Sequence, residues 1–388
     1  MMDIIDLSQS NQPSMREFQI RILIILVGVT LTAATWIGFE HPGIPSFIPP
    51  QAYAGSEEPY YFETFASTQQ MAKKVHAAAV HAQDDGIAAY WFGGSREGAR
   101  DVAIYQAFFQ DNAWTTPSVI ANPEILQQDL NRYIRKLGNP VSVQFEDGTI
   151  WVFFVSVSLG GWAGSSINLI ESTDQGKTFS PARRLVTSPF LNLSTLVRNP
   201  PVKYQDGSIG LPVYHEFIGK FAELIRINRD GKIVSKTRLT SGRDTLQPMI
   251  VPTSAHQAIA LLRYAGKPPM QLMVVDTEDG GRTWHHPRQL SLPNPDAAVA
   301  AIALNGMTLA VLNNSATLRN DLSLAVSIDD DWHVFHQLEF AEPDTLSEFS
   351  YPAVTRDNKG IVHILYTWNR KLIKHVAFNQ TWVDQQLR

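Results

Sequence analysis

Cysteine is absent from the 388 residues, which excludes disulfides, a thiolate nucleophile, and zinc or iron–sulfur centres held by sulfur. Charge is scarce as well, Asp, Glu, Lys and Arg making up only 18% of the chain. The 32 Lys and Arg are outnumbered by 37 Asp and Glu, giving a net charge of −5. No basic excess exists to neutralise a run of phosphates, so nucleic acid is not an expected partner. No phosphate-cradling or dinucleotide glycine fingerprint occurs, and no cofactor is implied. Metal is not expected either, because the adjacent His285 and His286 would point to opposite sides of an extended chain, with no third ligand nearby in sequence. Helical periodicity is nearly missing after residue 73. What the chain does have is apolar material, 44% of residues including 9 Trp, which is enough for a large core and rules out disorder. At roughly 150 residues per domain, length alone suggests two or three domains.

The N-terminus carries the compartment signal. Ile22–Phe39 is an uncharged apolar run preceded by Arg16 and Arg21, long enough at about 1.5 Å per residue to reach across a hydrocarbon core of roughly 30 Å. Basic residues before the run place residues 1–21 in the cytoplasm and the remainder outside it, in the periplasm or at the cell surface. A cleaved signal peptide is the competing reading, with Ala52-Tyr53-Ala54 as the small-x-small site and a secreted product. Pro42, Pro45, Pro49 and Pro50 make residues 40–55 a stiff spacer, and residues 56–388 form the body.

Short β-rich runs recur through that body: Gly86–Gly94, Thr149–Ser158, Ile167–Glu171, Gln271–Asp276, Thr308–Asn313 and Ile361–Trp368. Asp-Gly or Asn-Gly turns separate many of them. Only Pro123–Lys136 reads as a helix. Two markers repeat. One is a polar turn ending in an aromatic, best seen in Ser172–Phe179 and Thr277–Trp284, with weaker copies at Asp111, Asp230, Asp329 and Asn379, at intervals of 63, 56, 49, 50 and 50 residues. The other is a residue-Pro pair expected to open a strand, at Asn139-Pro140, Asn199-Pro200, Gln247-Pro248 and Tyr351-Pro352. A four-stranded unit of about 50 residues has too little core alone and must stack in a ring. The expected fold is therefore all-β, a six-bladed β-propeller behind an N-terminal signal-anchor helix. The turn aspartates are expected to cap backbone N–H groups on the rim, with the aromatics wedged between blades.

The form S-x-D-x-G-x-T-W resembles the Asp box, or BNR repeat, of the sialidase (neuraminidase) superfamily, and the resemblance covers roughly residues 70–388. Trp91–Gly98, Gly138-Asn139-Pro140 and Ser350–Val354 are similar to segments of the bacterial sialidase-like group. It implies a site at the central mouth, where three arginines clamp a substrate carboxylate, a Tyr paired with a Glu is the nucleophile and an Asp is the acid. A guanidinium fork suits that carboxylate. Carried over by position, Arg263 and Arg319 match two clamp arginines and Tyr351 the nucleophile, while His76 stands at the first arginine. Gln247 occupies the place of the Glu, and Glu97 is the carboxyl group nearest the place of the acid. A histidine at the first position is similar to propellers that cleave rhamnosyl–glucuronate linkages, where a neutral imidazole can exchange a proton near pH 7. His76, Glu97 and Tyr351 are thus the expected catalytic residues. Arg96, Asp101, Arg198, Tyr214, Glu216, Gln247, Arg263 and Arg319 are the expected substrate contacts, and the expected partner is an acidic oligo- or polysaccharide. The alternative is a non-catalytic glycan-binding or scaffold propeller in envelope or exopolysaccharide assembly.

Overall fold

In the computed structural model, residues 15, 19–28, 43–53, 58–68, 71–188, 192, 194–328 and 331–388 are described. They fall into two compact units, Met1–Ile44 and Pro45–Arg388. In the first unit, residues 19–28 are helical, and the rest of the apolar run, residues 29–39, lies outside the described residues. Among the described residues no helix is long and apolar enough to cross a membrane.

The second unit holds six antiparallel sheets among the described residues, one for each expected repeat. The innermost strands of blades 1, 2, 4, 5 and 6 are Lys74–Gln83, Lys136–Gln144, Thr245–Pro252, Ala300–Leu304 and Phe349–Arg356. Blade 3 opens instead with two short pieces, Leu196–Val197 and Val202–Lys203. The ring closes with a strand from the other end of the chain. Tyr61–Phe65 pairs with Leu372–Phe378, Tyr61 opposite Phe378, as the outermost strand of blade 6. Asn379 locks this seam by accepting from Tyr60 N at 3.0 Å and donating to Glu58 O at 2.8 Å.

Continuous apolar runs arise because both faces of each sheet are buried. In Ile150–Val157, Ile150, Val152 and Phe154 pack toward blade 1, while Trp151, Phe153 and Val155 pack toward blade 3. The period-2 alternation of a strand therefore divides one blade between two cores, and each of the six core clusters joins two neighbouring blades. The repeat aromatics sit in these seams: Trp114 between blades 6 and 1, Phe179 between 1 and 2, Trp284 between 3 and 4, Trp332 between 4 and 5, and Trp382 between 5 and 6.

Asp174 and Asp279 close identical turns between the third and fourth strands of blades 2 and 4. Asp174 accepts from Thr178 N (2.9 Å) and Thr178 Oγ1 (2.6 Å), and Asp279 accepts from Thr283 at the same two distances. The weaker copies differ. Asp111 and Asn112 both have positive φ in a two-residue hairpin turn, and Asp329 lies outside the described residues. Asn379 is no rim turn at all but the N-cap of a helix, Gln380–Gln386, which periodicity did not reveal. The expected helix at Pro123–Lys136 is shorter, Pro123–Leu130, because Asn131 takes a left-handed conformation and ends it.

The residue-Pro pairs also sit differently from expectation. In blades 2, 4 and 6 they lie inside the innermost strand, where Asn139-Pro140, Gln247-Pro248 and Tyr351-Pro352 each face a single residue of the next strand. These are β-bulges on edge strands, where proline's missing N–H costs no ladder bond. Ala77-Ala78 forms the same bulge in blade 1. Ala77, Asn139, Gln247 and Tyr351 all have φ near 50°, a strained value for a side-chain-bearing residue. The bulges turn side chains toward the central mouth.

Part of the proline-rich spacer packs against the face opposite the mouth. Phe47 is fully buried, stacks on Tyr204 at 4.8 Å and donates its N–H to Ala255 O at 2.7 Å. Further along, Tyr53 exchanges hydrogen bonds with Asn305, and Arg356 donates to Gln51 O. Gly280 follows from this contact: its counterpart in the other turn is Gln175, but a Cβ at residue 280 would lie 1.9 Å from Pro45 O.

Candidate active site

The mouth is built by the start of each innermost strand, the end of each second strand and the start of each third strand. Tyr351 stands at its centre, on the blade 6 bulge. Around it are His76 from blade 1, with ring centroids 4.4 Å apart, Arg198 from blade 3, 5.2 Å from the ring, and Arg319 from blade 5, 5.5 Å from the ring. Arg263, at the end of the second strand of blade 4, points Nη1 at Tyr351 Oη (3.4 Å) and at Gln247 Oε1 (3.2 Å).

Carboxylates hold three guanidiniums in place. Arg263 Nε donates to Asp296 at 2.6 Å. Arg319 Nη2 donates to the Asp296 carbonyl at 2.6 Å, and its Nη1 lies 3.5 Å from Glu348. Arg370, in the hairpin before the third strand of blade 6, bridges Glu348 (2.6 Å) and Glu97 (2.8 Å). Arg370, Glu348 and Asp296 were not singled out in the sequence. Arg370 sits in a Trp-Asn-Arg-Lys hairpin that reads as an ordinary exposed turn, and no repeat marker falls on the other two.

Of the expected residues, His76, Tyr351, Arg198, Arg263, Arg319 and Gln247 come together, and Glu97 joins through Arg370. Tyr214 is buried, its Oη accepting from Asn139 and Gln247 at 3.3 Å each. Glu216, just beyond the same strand, is partly buried near Arg263. Arg96 and Glu97 line a pocket of about 250 Å3 with His76, Phe92 and Arg370. Asp101 instead closes its own loop, accepting from Ser95 N and Ser95 Oγ at 2.9 Å each. His285 pairs with Asp276 on the outside of blade 4, away from the mouth.

The electrostatics set what these groups can do. Burial, aided by Arg370, Arg198 and Arg319, pushes His76 down to about 3, so its imidazole is neutral throughout the physiological range. That is far from the poise near pH 7 expected of a proton-exchanging histidine. Burial would raise Glu348, but hydrogen bonds from Arg370 and Ser350 win and hold it at about 2. Burial also raises Glu216 and Tyr214. Tyr351 goes the other way: burial pushes the phenol up, yet Arg263, Arg319 and Arg198 outweigh it and leave the pKa below the ordinary value. The mouth can therefore present fixed positive charge around one hydroxyl, and that charge favours its ionisation. Among the described residues no cluster of three or more metal-ligating side chains occurs.

The sequence pattern of the BNR repeat-like domain matches residues 85–364, while no curated protein sequence matches the chain. Several solved structures share its fold. A Hadza microbial sialidase superimposes with a TM-score of 0.67 at 17% identity, over 80% of this chain and 67% of that one. The intramolecular trans-sialidase from Ruminococcus gnavus, in complex with oseltamivir carboxylate, gives 0.64 at 12% identity over 82% and 97%. Trypanosoma rangeli sialidase, in complex with sialic acid, gives 0.66 at 12% identity over 86% and 61%. At these identities the likeness is one of fold.

Proposed function

The chain belongs to the BNR repeat-like domain family, and from that premise we propose that it acts at its mouth on a glycan carrying an acidic sugar, a sialic acid or a uronate, cleaving a terminal glycosidic bond. The observation that carries this reading is the convergence of Arg263 and Arg319 on Tyr351. Both guanidiniums are pre-positioned by Asp296 and Glu348, so little side-chain entropy remains to be lost on binding. Among the described residues, Nη2 of Arg263 makes no hydrogen bond, and it is the donor offered to a substrate carboxylate. Tyr351 is the nucleophile or the base, and Glu97, at the edge of the mouth, is the proton carrier. Neutral His76 acts as a hydrogen-bonding neighbour through Nδ1. The solved sialidases of the same fold support an acidic glycan as the ligand class.

Gln247 favours a second reading, in which the propeller binds such a glycan without cleaving it. The resemblance calls for a carboxylate there, and an amide cannot take the tyrosine's proton. A screen of sialosides and rhamnosyl-glucuronate oligosaccharides with product analysis separates the two: a lyase leaves an unsaturated uronate, a hydrolase does not, and binding without products selects the second. Arg263→Met should weaken binding about 10- to 100-fold, the cost of a charge-assisted hydrogen bond. Unchanged affinity would contradict both readings.

We also propose that Ile22–Phe39 anchors the chain in a membrane with the propeller outside the cytoplasm. The full chain should then stay with membranes through a high-salt wash and leave with detergent. Release by salt alone would contradict the anchor.

A further inference from the structure

Arg198 is 2% exposed, and yet no carboxylate among the described residues pairs with it. Its hydrogen bonds go to neutral carbonyls, Nη1 to Ala78 O at 3.1 Å and Nη2 to Pro352 O at 2.8 Å, and Nε has no partner. Both carbonyls belong to bulges, in blades 1 and 6, where the extra residue leaves the ladder and frees an acceptor. Two strained strands are thus shaped to hold one buried cation. A guanidinium taken out of water with no countercharge is costly. The other mouth arginines do not face that cost, since Arg263, Arg319 and Arg370 each contact an acidic residue.

Two groups that could carry a negative charge act on Arg198: Tyr351 and Tyr214. Burial holds Tyr214 protonated, and the Tyr351 ring centroid lies 5.2 Å from Arg198 Cζ. We propose that Arg198 is a positioning residue whose countercharge is the ionised oxygen of Tyr351, so that the mouth activates its tyrosine by a buried cation in place of a neighbouring carboxylate. Three of the four charged groups that act on Tyr351 are cations. Arg263 from blade 4, Arg319 from blade 5 and Arg198 from blade 3 all favour the phenolate, and Glu97 from blade 1 opposes it. His76 is neutral beside it, and its Nδ1 has no partner. Glu348 and Asp296 are paired with Arg370 and Arg263. Gln247 then need not be a base. Its Oε1 holds Arg263 and its Nε2 holds Tyr214, which keeps the second cation aimed at Tyr351.

The inference goes beyond the glycan reading and can be tested without any substrate. Absorbance is followed against pH in the wild type and in Tyr351→Phe, and the difference isolates the Tyr351 phenolate band. Tyr214, Tyr90 and Tyr204, raised by burial, do not ionise in this window. The band should titrate below the ordinary tyrosine value of about 10, and a midpoint at or above it would overturn the proposal. Arg198→Met should raise the midpoint by at least one unit, a tenfold change in the ionisation constant, and Arg198→Lys should keep it low. An unmoved midpoint in folded Arg198→Met would hand the effect to Arg263 and Arg319. A midpoint that shifts with chloride at fixed ionic strength would make a bound anion the countercharge. Either result sinks the idea. Should Arg198→Met fail to fold, Arg198→Gln, which removes the charge but keeps an N–H donor for the Ala78 and Pro352 carbonyls, makes the same comparison: a midpoint raised by at least one unit supports the proposal and an unmoved one overturns it.

Discussion

Tyr351→Phe is expected to lower kcat on an acidic-glycan substrate by about 10²- to 10⁴-fold, the span usual for losing a proton-transfer or nucleophilic group, while KM stays within a few-fold. The separation follows from what the hydroxyl touches. Its only hydrogen bond among the described residues is the 3.4 Å contact from Arg263 Nη1, which retains Gln247, and Asp296 still holds Arg263 Nε. The phenyl ring keeps its place beside His76 and over Arg198 and Arg319. The carboxylate-binding edge of the mouth is therefore preserved and only the reactive oxygen is removed. Arg263→Met should do the reverse, raising KM more than it lowers kcat. If Tyr351→Phe turned over at the wild-type rate, the chemistry would have to be moved to another group. If instead it lost binding as completely as Arg263→Met, the tyrosine would be a ligand contact only.

The architecture was legible because each blade repeats one physical problem. A sheet buried on both faces needs a continuous apolar strand, a turn that satisfies its own N–H groups, and an aromatic to fill the widening gap to its neighbour. Asp174, Asp279, Trp284 and Trp332 answer it at a fixed period. The closing strand Tyr61–Phe65 left no such mark, because it completes blade 6 across more than three hundred residues of chain and carries no turn signal. Three of the mouth bulges were visible as residue-Pro pairs, while the one at Ala77-Ala78 left no mark. Their meaning, a strand that must bend to present a side chain, depends on a partner strand that sequence does not display. In the mouth, Tyr351, Arg263 and Arg319 could be found by carrying the family resemblance over by position. Arg370 and Glu348 could not, since a guanidinium on a short hairpin looks like any solvated charge until the fold turns that hairpin inward. Arg198 was visible as a residue beside Asn199-Pro200, but nothing in the sequence shows that it lacks a countercharge.

Mild acid should loosen the ring well before its carboxylates titrate. His76 and His81 are both held down to about 3, burial being the first cause, and His375 lies well below 6.5 for the same reason. A histidine whose folded pKa is depressed binds fewer protons folded than unfolded. Stability is therefore present above the unfolded value near 6.5 and is lost as pH falls below it. At pH 5.5 His76 and His81 each cost about 1.4 kcal/mol, together about 3 kcal/mol, a sizeable part of a typical folding free energy of about 5–15 kcal/mol, and His375 adds in the same direction. Glu348, at about 2, and Asp279 and Asp357, both below 3.8, add the same sign of effect only below the ordinary carboxylate range. His285, raised by Asp276, opposes the trend but is exposed. The position of His375 predicts where the ring gives way. It lies under the closing strand, 6.2 Å from Phe62 and 5.2 Å from Trp114 between blades 6 and 1. Chemical denaturation at pH 7 and 5.5 should show the loss, and hydrogen exchange should quicken first in residues 61–65 and 372–378. His81→Gln, which can keep the contact with Ser142, should reduce the loss at pH 5.5 by about 1.4 kcal/mol. Equal stability at the two pH values, or an unchanged slope in His81→Gln, would mean that these imidazoles reach solvent when protonated and that the seam is not closed around them.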